Sequence, residues 1–495
     1  MKEVIDLLPN RKEYCLLVKS AFDTSFCDKI INTTKSNFKK AITHYPTSYR
    51  NNERQVIDDK TYSTALFNEI KNYIPNNIKY SGISKKESGE WILKALNSRI
   101  RVCRYLPNQY FNKHLDGVHY ISNDVQSKLT FMIYLNGKED FSGGKTLFFD
   151  TKNSIHPFKK YTPEKGDLII FDHNLWHSGE IVLDGIKYVL RSDIIYQKIN
   201  SSLTRKEIPF SEGHLGYIWN ITKFNDYLIT SGRDKKIKVW SNKGKKKTEI
   251  IEHKNSILKV IVLNKNTIVS ASRDATINIL KLHQNDSFEL VNKIKHHKST
   301  ILSLCKINDS SFFSVDAEGI VNQINVNGKL IKSLKAHKEW IWDIKIINDS
   351  FFITISETGS LKVWSCDSFK LISEWKYVEP LNSLTIKENI IYVGTFNGSL
   401  VKLQFDYKKL TISELYKEKI HSGIIRRIKI HKSYLLTASE DNFLKIHNLA
   451  NLKTVQSYDH KNFVQDLEVL DDRIISVSYE GEIHQFQLPI QDTIS

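Results

Sequence analysis

The segment RYLPNQYFNKHLDG sets His114 and Asp116 two residues apart, and FDHNLWHSGEIVLDGIKYVLRSDIIY sets His177 ten residues before Lys187. In a strand, residues two apart point to one face, so His114 and Asp116 can grip one metal ion. A His-x-Asp pair alone is weak evidence, because chance produces it often. A second histidine, followed by a lysine on a further β-rich run, strengthens it. Two neutral imidazoles and one carboxylate form a facial ligand set that neutralises part of the charge of iron(II) and leaves three coordination positions open. Those positions suit a bidentate 2-oxo acid and dioxygen. The far carboxylate of such an acid would be buried and would need a cation, which Lys187 supplies through a charge-assisted hydrogen bond.

These side chains must be positioned by a β-rich core. Strand-like runs alternate with turn residues from Arg99 to Gln197, preceded by helical patterns around Ser25 to Lys40 and Tyr62 to Tyr73. Arg191 lies four residues beyond Lys187 and shares its inward face if YVLRSD is one strand. It could replace Lys187, assist it, or touch the primary substrate, and the sequence leaves all three open. His119 and His173 also lie near the motif, but neither has a lysine at the matching spacing. Both are expected beside the metal site or at the surface rather than as ligands.

From Tyr14 to Gln197 the chain resembles the prolyl 4-hydroxylase type of 2-oxoglutarate-dependent oxygenase. YRNNERQVIDD looks like the family's early segment, RYLPNQYFNKHLDG carries the first two ligand positions, and FSGGKTLFF and KGDLIIFDHNLWHSG follow in order. The resemblance implies a double-stranded β-helix, or jelly-roll, domain with N-terminal helices. It implies that His114, Asp116 and His177 bind iron(II), that Lys187 binds the distal carboxylate of 2-oxoglutarate, and that Tyr105 and Tyr134 line the cosubstrate pocket. Oxidative decarboxylation of 2-oxoglutarate with dioxygen would drive hydroxylation of a C–H bond. Related halogenases vacate the carboxylate position for chloride, so Asp116 favours hydroxylation. Ascorbate as a re-reducing agent is implied by family likeness only.

Beyond residue 200 the chain repeats itself. His214, His253, His297, His337, His421 and His460 recur at roughly 40 residues or about twice that. Each unit gives an alternating strand (IWNITKF, ILSLCKI, IWDIKII), a second (YLITSGR, TIVSASR, YLLTASE), a turn, and a third (KIKVW, TINIL, SLKVW). Seven units fit between Gly213 and Leu488, one of them without its histidine. This stretch resembles the WD-repeat family, whose marks are a histidine before the first strand, an Asp in the turn before the third, and a terminal Trp. Only His214, Asp234 and Trp240 supply all three. In that family these residues form a buried structural network, so they are read as scaffold. The last unit stops at its third strand, EIHQFQL, and the segment EIPF before His214 can supply the missing fourth strand. The expected architecture is mostly β: an oxygenase domain over residues 1–200 and a seven-bladed β-propeller over 201–495.

Charge, cysteines and hydropathy bound the rest. The net charge of +17 divides into +8 for residues 1–200 and +9 for the remainder, so no domain concentrates it, and nucleic-acid binding finds little support. Cys15, Cys27, Cys103, Cys305 and Cys366 are scattered and odd in number, which argues against a disulfide framework or a zinc site. No apolar run reaches membrane-spanning length and the N-terminus lacks a signal-peptide pattern, so a soluble, cytoplasmic chain is expected, with the nucleus left open. A propeller presents loops on a rigid ring, and this fold-level analogy points to a protein substrate or partner. The expected function is a dioxygenase that hydroxylates a protein, prolyl residues first among candidates, with the propeller as docking module. The alternative is an inactive oxygenase domain on a WD-repeat interaction scaffold. The intact ligand set and Lys187 argue against it.

Overall fold

The computed structural model describes residues 2–40, 46, 48–81, 87–199, 209–210, 212–283 and 287–489. Its contacts divide the chain into two compact units, Met1–Leu203 and Thr204–Ser495. Both are built mostly of antiparallel strands.

The first unit holds an eleven-stranded sheet, a four-stranded sheet and a two-stranded ribbon. The centre of the large sheet is Leu168–Asp172, Val125–Tyr134, Lys187–Lys198 and Arg99–Tyr105, in that order. Val125–Tyr134 shows no polar alternation over LTFMIY because both its faces are covered. Leu129, Phe131 and Ile133 pack with Ile30, Leu66 and Ile70 from the two helices. Met132 and Tyr134 point the other way and pack with Phe148 of the small sheet. That sheet pairs Lys159–Tyr161, Thr146–Phe149, Trp176–Gly179 and Phe111–His114.

Both expected helices form, but the first is shorter than its pattern suggests. Thr24–Thr34 starts where the Asp23 carboxylate accepts the Phe26 N–H at 2.7 Å, an N-cap. It ends where the Thr33 and Thr34 hydroxyls bond back to carbonyls of the preceding turn, and Lys39–Lys40 is already a strand. The second helix, Lys60–Ile70, is capped by Asp59 and closes in a short 3-10 turn, Lys71–Tyr73.

The second unit is a succession of six four-stranded sheets and one three-stranded sheet among the described residues, each made of consecutive strands. With the WD-type units this fits a propeller. The His214 ring lies 2.8 Å from Asp234 and 2.7 Å from the Thr230 hydroxyl, which also accepts Trp240 Nε1–H at 2.8 Å. Degraded units keep part of the network. His337 and Trp364 share Thr354 without an acid, and His421 keeps Asp441 while His447 stands where Trp would. In the third unit the acid is Asp316, at the end of the second strand, not the turn residue Glu318. The first and last sheets meet: Asn220 donates to Asp466 at 2.6 Å, and Ile218 and Trp240 pack with Ile475 and Val477.

Of the expected closing segment EIPF, Glu207 and Ile208 lie outside the described residues, as does the expected boundary at 200–205. Pro209 and Phe210 occupy a turn, with the Phe210 N–H on the Gly244 carbonyl at 2.8 Å and its ring 5.5 Å from Trp240. All five cysteines are free. Among the described residues no helix is long and apolar enough to cross a membrane.

Candidate metal centre and its pocket

His114 ends the strand Phe111–His114 and pairs directly with His177 on Trp176–Gly179, so the two rings lie side by side with centroids 4.2 Å apart. Asp116 is not on that strand, contrary to the two-residue periodicity argument. It lies in the coil just beyond, where Arg191 and Thr130 of the large sheet hold its carboxylate. The three ligand candidates still converge. Asp116 Oδ1 is 3.7 Å from His114 Nε2, and Oδ2 is 3.6 Å from His177 Nε2. One ligand atom from each of the three lies within 4.8 Å of the others.

The protonation pattern suits a cation. His114 Nδ1 donates to the Asn112 carbonyl at 2.7 Å, and His177 Nδ1 to that of Leu175 at 2.9 Å. Each ring therefore turns a bare Nε2 lone pair inward, and neither Nε2 has a hydrogen-bond partner among the described residues. Two orphaned, buried acceptors beside a carboxylate are costly unless an ion sits between them. Burial pushes both imidazoles below their ordinary pKa, so they are neutral and competent to ligate. Burial is the largest single influence on Asp116 and would raise it, but Arg191 and the neighbouring histidines together outweigh it and hold the carboxyl well below the usual range.

A pocket opens from this cluster, walled by alternate residues of three adjacent strands. Lys187 lies opposite Tyr105, Val189 between Cys103 and Tyr134, and Arg191 opposite Met132. Lys187 is buried, donates to the Gly144 carbonyl, and lies 5.6 Å from the rings of both Tyr105 and Tyr134. Among the described residues no carboxylate ion-pairs with it, and burial lowers its pKa to about 8. Tyr134 is fully buried with its hydroxyl 2.7 Å from that of Thr146. The pocket thus has a ligand set and a buried lysine without a counter-ion on a common wall. These residues fit a metal ion together with a small dicarboxylate.

All seven sequence-derived site residues meet here. Arg191 sits on the Asp116 side, with Nη2 donating to Oδ1 at 2.5 Å. His173 is fully buried, not at the surface, and is not among the pocket-lining residues. His119 is half-buried outside the cluster. Sequence reasoning missed Thr130, Thr146 and Arg50. Thr130 was within reach, since it shares the face of Tyr134 at even spacing in LTFMIY. Arg50 had no such signal: its guanidinium lies 4.3 Å over the Phe111 ring, which stacks on His114 at 3.7 Å.

Residues 100–192 match the model of the 2OG-Fe(II) oxygenase superfamily. The chain carries a 2OG-Fe(II) oxygenase domain. All seven sequence-derived candidates lie inside the matched span, while Arg50 precedes it. Residues 205–241 and 328–365 match the WD domain, G-beta repeat model, and they hold the two units whose third strand carries tryptophan as its next-to-last residue, Trp240 and Trp364. Over 80 residues the chain is 38% identical to a protein of Acanthamoeba polyphaga mimivirus named "Putative prolyl 4-hydroxylase". That alignment covers 14% of this chain and 30% of the relative, so the chain spans under a third of the relative's length.

Proposed function

We propose that residues 1–200 form a jelly-roll iron(II)- and 2-oxoglutarate-dependent dioxygenase, that residues 201–495 form a seven-bladed propeller, and that the enzyme hydroxylates a protein docked by that propeller. The observation that carries this reading is the pair of orphaned Nε2 atoms facing Asp116 at one part of a pocket that also holds the uncompensated Lys187. His114, Asp116 and His177 would hold iron(II), and ascorbate would serve as re-reductant. Iron, 2-oxoglutarate and dioxygen supply the oxidising chemistry, and the protein supplies orientation and exclusion of water.

Lys187 anchors the distal carboxylate of 2-oxoglutarate. It carries the one buried pocket cation without a carboxylate partner among the described residues, whereas Arg191 is already committed to Asp116. The Tyr105 and Tyr134 rings flank that ammonium and exclude water from the pair. The Asn112 and Leu175 carbonyls hold the Nδ1 protons, fixing the tautomer that leaves Nε2 free. A prolyl side chain is the first candidate substrate, from the likeness to the prolyl 4-hydroxylase type.

Proteins retained by the propeller unit, incubated with the whole enzyme, iron(II), 2-oxoglutarate and air, should include one that gains the mass of a single oxygen atom. Mapping the gain to proline supports the finer reading, and mapping it to another residue replaces it. Should no retained protein gain oxygen while the enzyme still consumes 2-oxoglutarate, the propeller does not deliver the substrate.

A further inference from the structure

The proposed chemistry leaves Arg191 without a task, although it is the most committed charge in the pocket. Its side chain is 10% exposed, its Nη2 donates to Asp116 Oδ1 at 2.5 Å, and its Nε has no hydrogen-bond partner among the described residues. We infer that Arg191 is a positioning residue: it stands in for the metal's charge in the metal-free protein and keeps Asp116 to one coordinating oxygen once a metal is bound. This rests on the reading of His114, Asp116 and His177 as ligands.

A buried carboxylate without a counter-charge is strongly unfavourable. Besides Arg191, the immediate company of Asp116 is the His114 and His177 rings at 3.7 and 3.6 Å and the Thr130 hydroxyl, which donates to Oδ2 at 2.7 Å. Of the groups around the carboxylate, only the Arg191 guanidinium carries a permanent charge. The guanidinium therefore holds the carboxylate in place before any metal arrives. Its planar fork also fixes direction, which a lysine's ammonium would not. With Oδ1 engaged by Arg191 and Oδ2 by Thr130, the carboxylate cannot turn both oxygens onto one ion. A carboxylate freed of Arg191 could bind in bidentate fashion and fill a position that a cosubstrate needs. Arg191 thus weakens metal binding, being a like charge beside a divalent cation, and in return keeps the open face of the site open.

The test uses the full chain, metal-free, titrated with cobalt(II) and followed by thermal unfolding, with Arg191→Met and Arg191→Lys as variants. Arg191→Met should unfold at a lower temperature than wild type without metal, gain a larger cobalt-induced shift, and bind cobalt severalfold more tightly. In a separate assay with iron(II), its turnover of 2-oxoglutarate per bound iron should fall. Arg191→Lys keeps a charge and should fall between the two, which preserves the test if the Met variant does not fold. The double variant Asp116→Asn with Arg191→Met, having no orphaned carboxylate, should be more stable without metal than Arg191→Met alone. A purely structural role would lower the metal-free and cobalt-loaded midpoints equally, and that result, or weaker cobalt binding by Arg191→Met, overturns the inference. If wild type itself shows no cobalt shift, the metal-site reading falls and this inference with it.

Discussion

Lys187 carries the sharpest expectation at the scale of single residues. If it holds the distal carboxylate of 2-oxoglutarate, Lys187→Ala leaves that carboxylate buried and unpaired, at a cost of about 3 to 5 kcal/mol, which is about two to three and a half orders of magnitude in the apparent cosubstrate requirement. Metal affinity, measured on the same variant, should change little. Arg191→Ala is the control, and a larger effect of that variant on 2-oxoglutarate would exchange the two roles. A second expectation follows from the lowered pKa of Lys187, about 8 in the free protein. Below that pH the ammonium is charged and ready, so the cosubstrate requirement should be flat. Above it, binding must take up a proton, and the requirement should rise roughly tenfold per pH unit. The sign for stability is opposite: between about 8 and the ordinary lysine value the unfolded chain binds more protons, so this group's contribution makes the fold more stable as pH rises. At this scale, spacing together with the family resemblance singled out His114, Asp116, His177 and Lys187 as candidates, because they lie on two short segments. The partner of Arg191 was not, since Asp116 lies 75 positions away and meets it only across the sheets.

At the scale of elements, strand alternation does the positioning. Lys187, Val189 and Arg191 on one strand, and Thr130, Met132 and Tyr134 on the next, are every second residue, and antiparallel pairing sets them side by side. That face could be read once Lys187 was chosen. The coil position of Asp116 could not, because its side chain is drawn out by groups on another sheet. The turn in FSGGKTLFF supports the lysine directly. Gly143 has φ +73°, and a Cβ there would fall 2.4 Å from the Ile181 carbonyl. Its neighbour Gly144 offers the carbonyl that holds Lys187. Gly143→Ala should cost about 1 to 3 kcal/mol in denaturant unfolding and also raise the cosubstrate requirement. A variant with unchanged stability and unchanged requirement would show that this turn does not support the lysine. In the repeats, periodicity predicted the strands well while individual acids moved, as Asp316 did, because the network needs a carboxylate near the histidine and tolerates more than one backbone position for it.

For the whole molecule, the separation into two compact units lets the chemistry be divided from the docking. All proposed ligands of iron and 2-oxoglutarate belong to the first unit, so a chain ending near residue 200 should still consume 2-oxoglutarate without substrate. Its hydroxylation of the native target should fall, because a second docking site raises the target's local concentration to roughly millimolar when the linker is short. Comparing the full-length target with a short target peptide reads this directly, and a truncated enzyme equal to the intact one on both leaves the propeller without a delivery role. The cut must fall before Glu207, since Phe210 packs into the first sheet of the second unit. Repeat period and motif order made the two-part architecture legible, whereas the meeting of the first and last repeat sheets, Asn220 on Asp466, joins residues far apart in the chain. The most direct measurement of the central claim is succinate formed from 2-oxoglutarate by the metal-free whole chain, under air, as iron(II) is added. Succinate should appear in proportion to bound iron in wild type and be abolished in His114→Ala, Asp116→Ala and His177→Ala, whereas wild-type protein that forms none, or variants that all keep the wild-type rate, would contradict it.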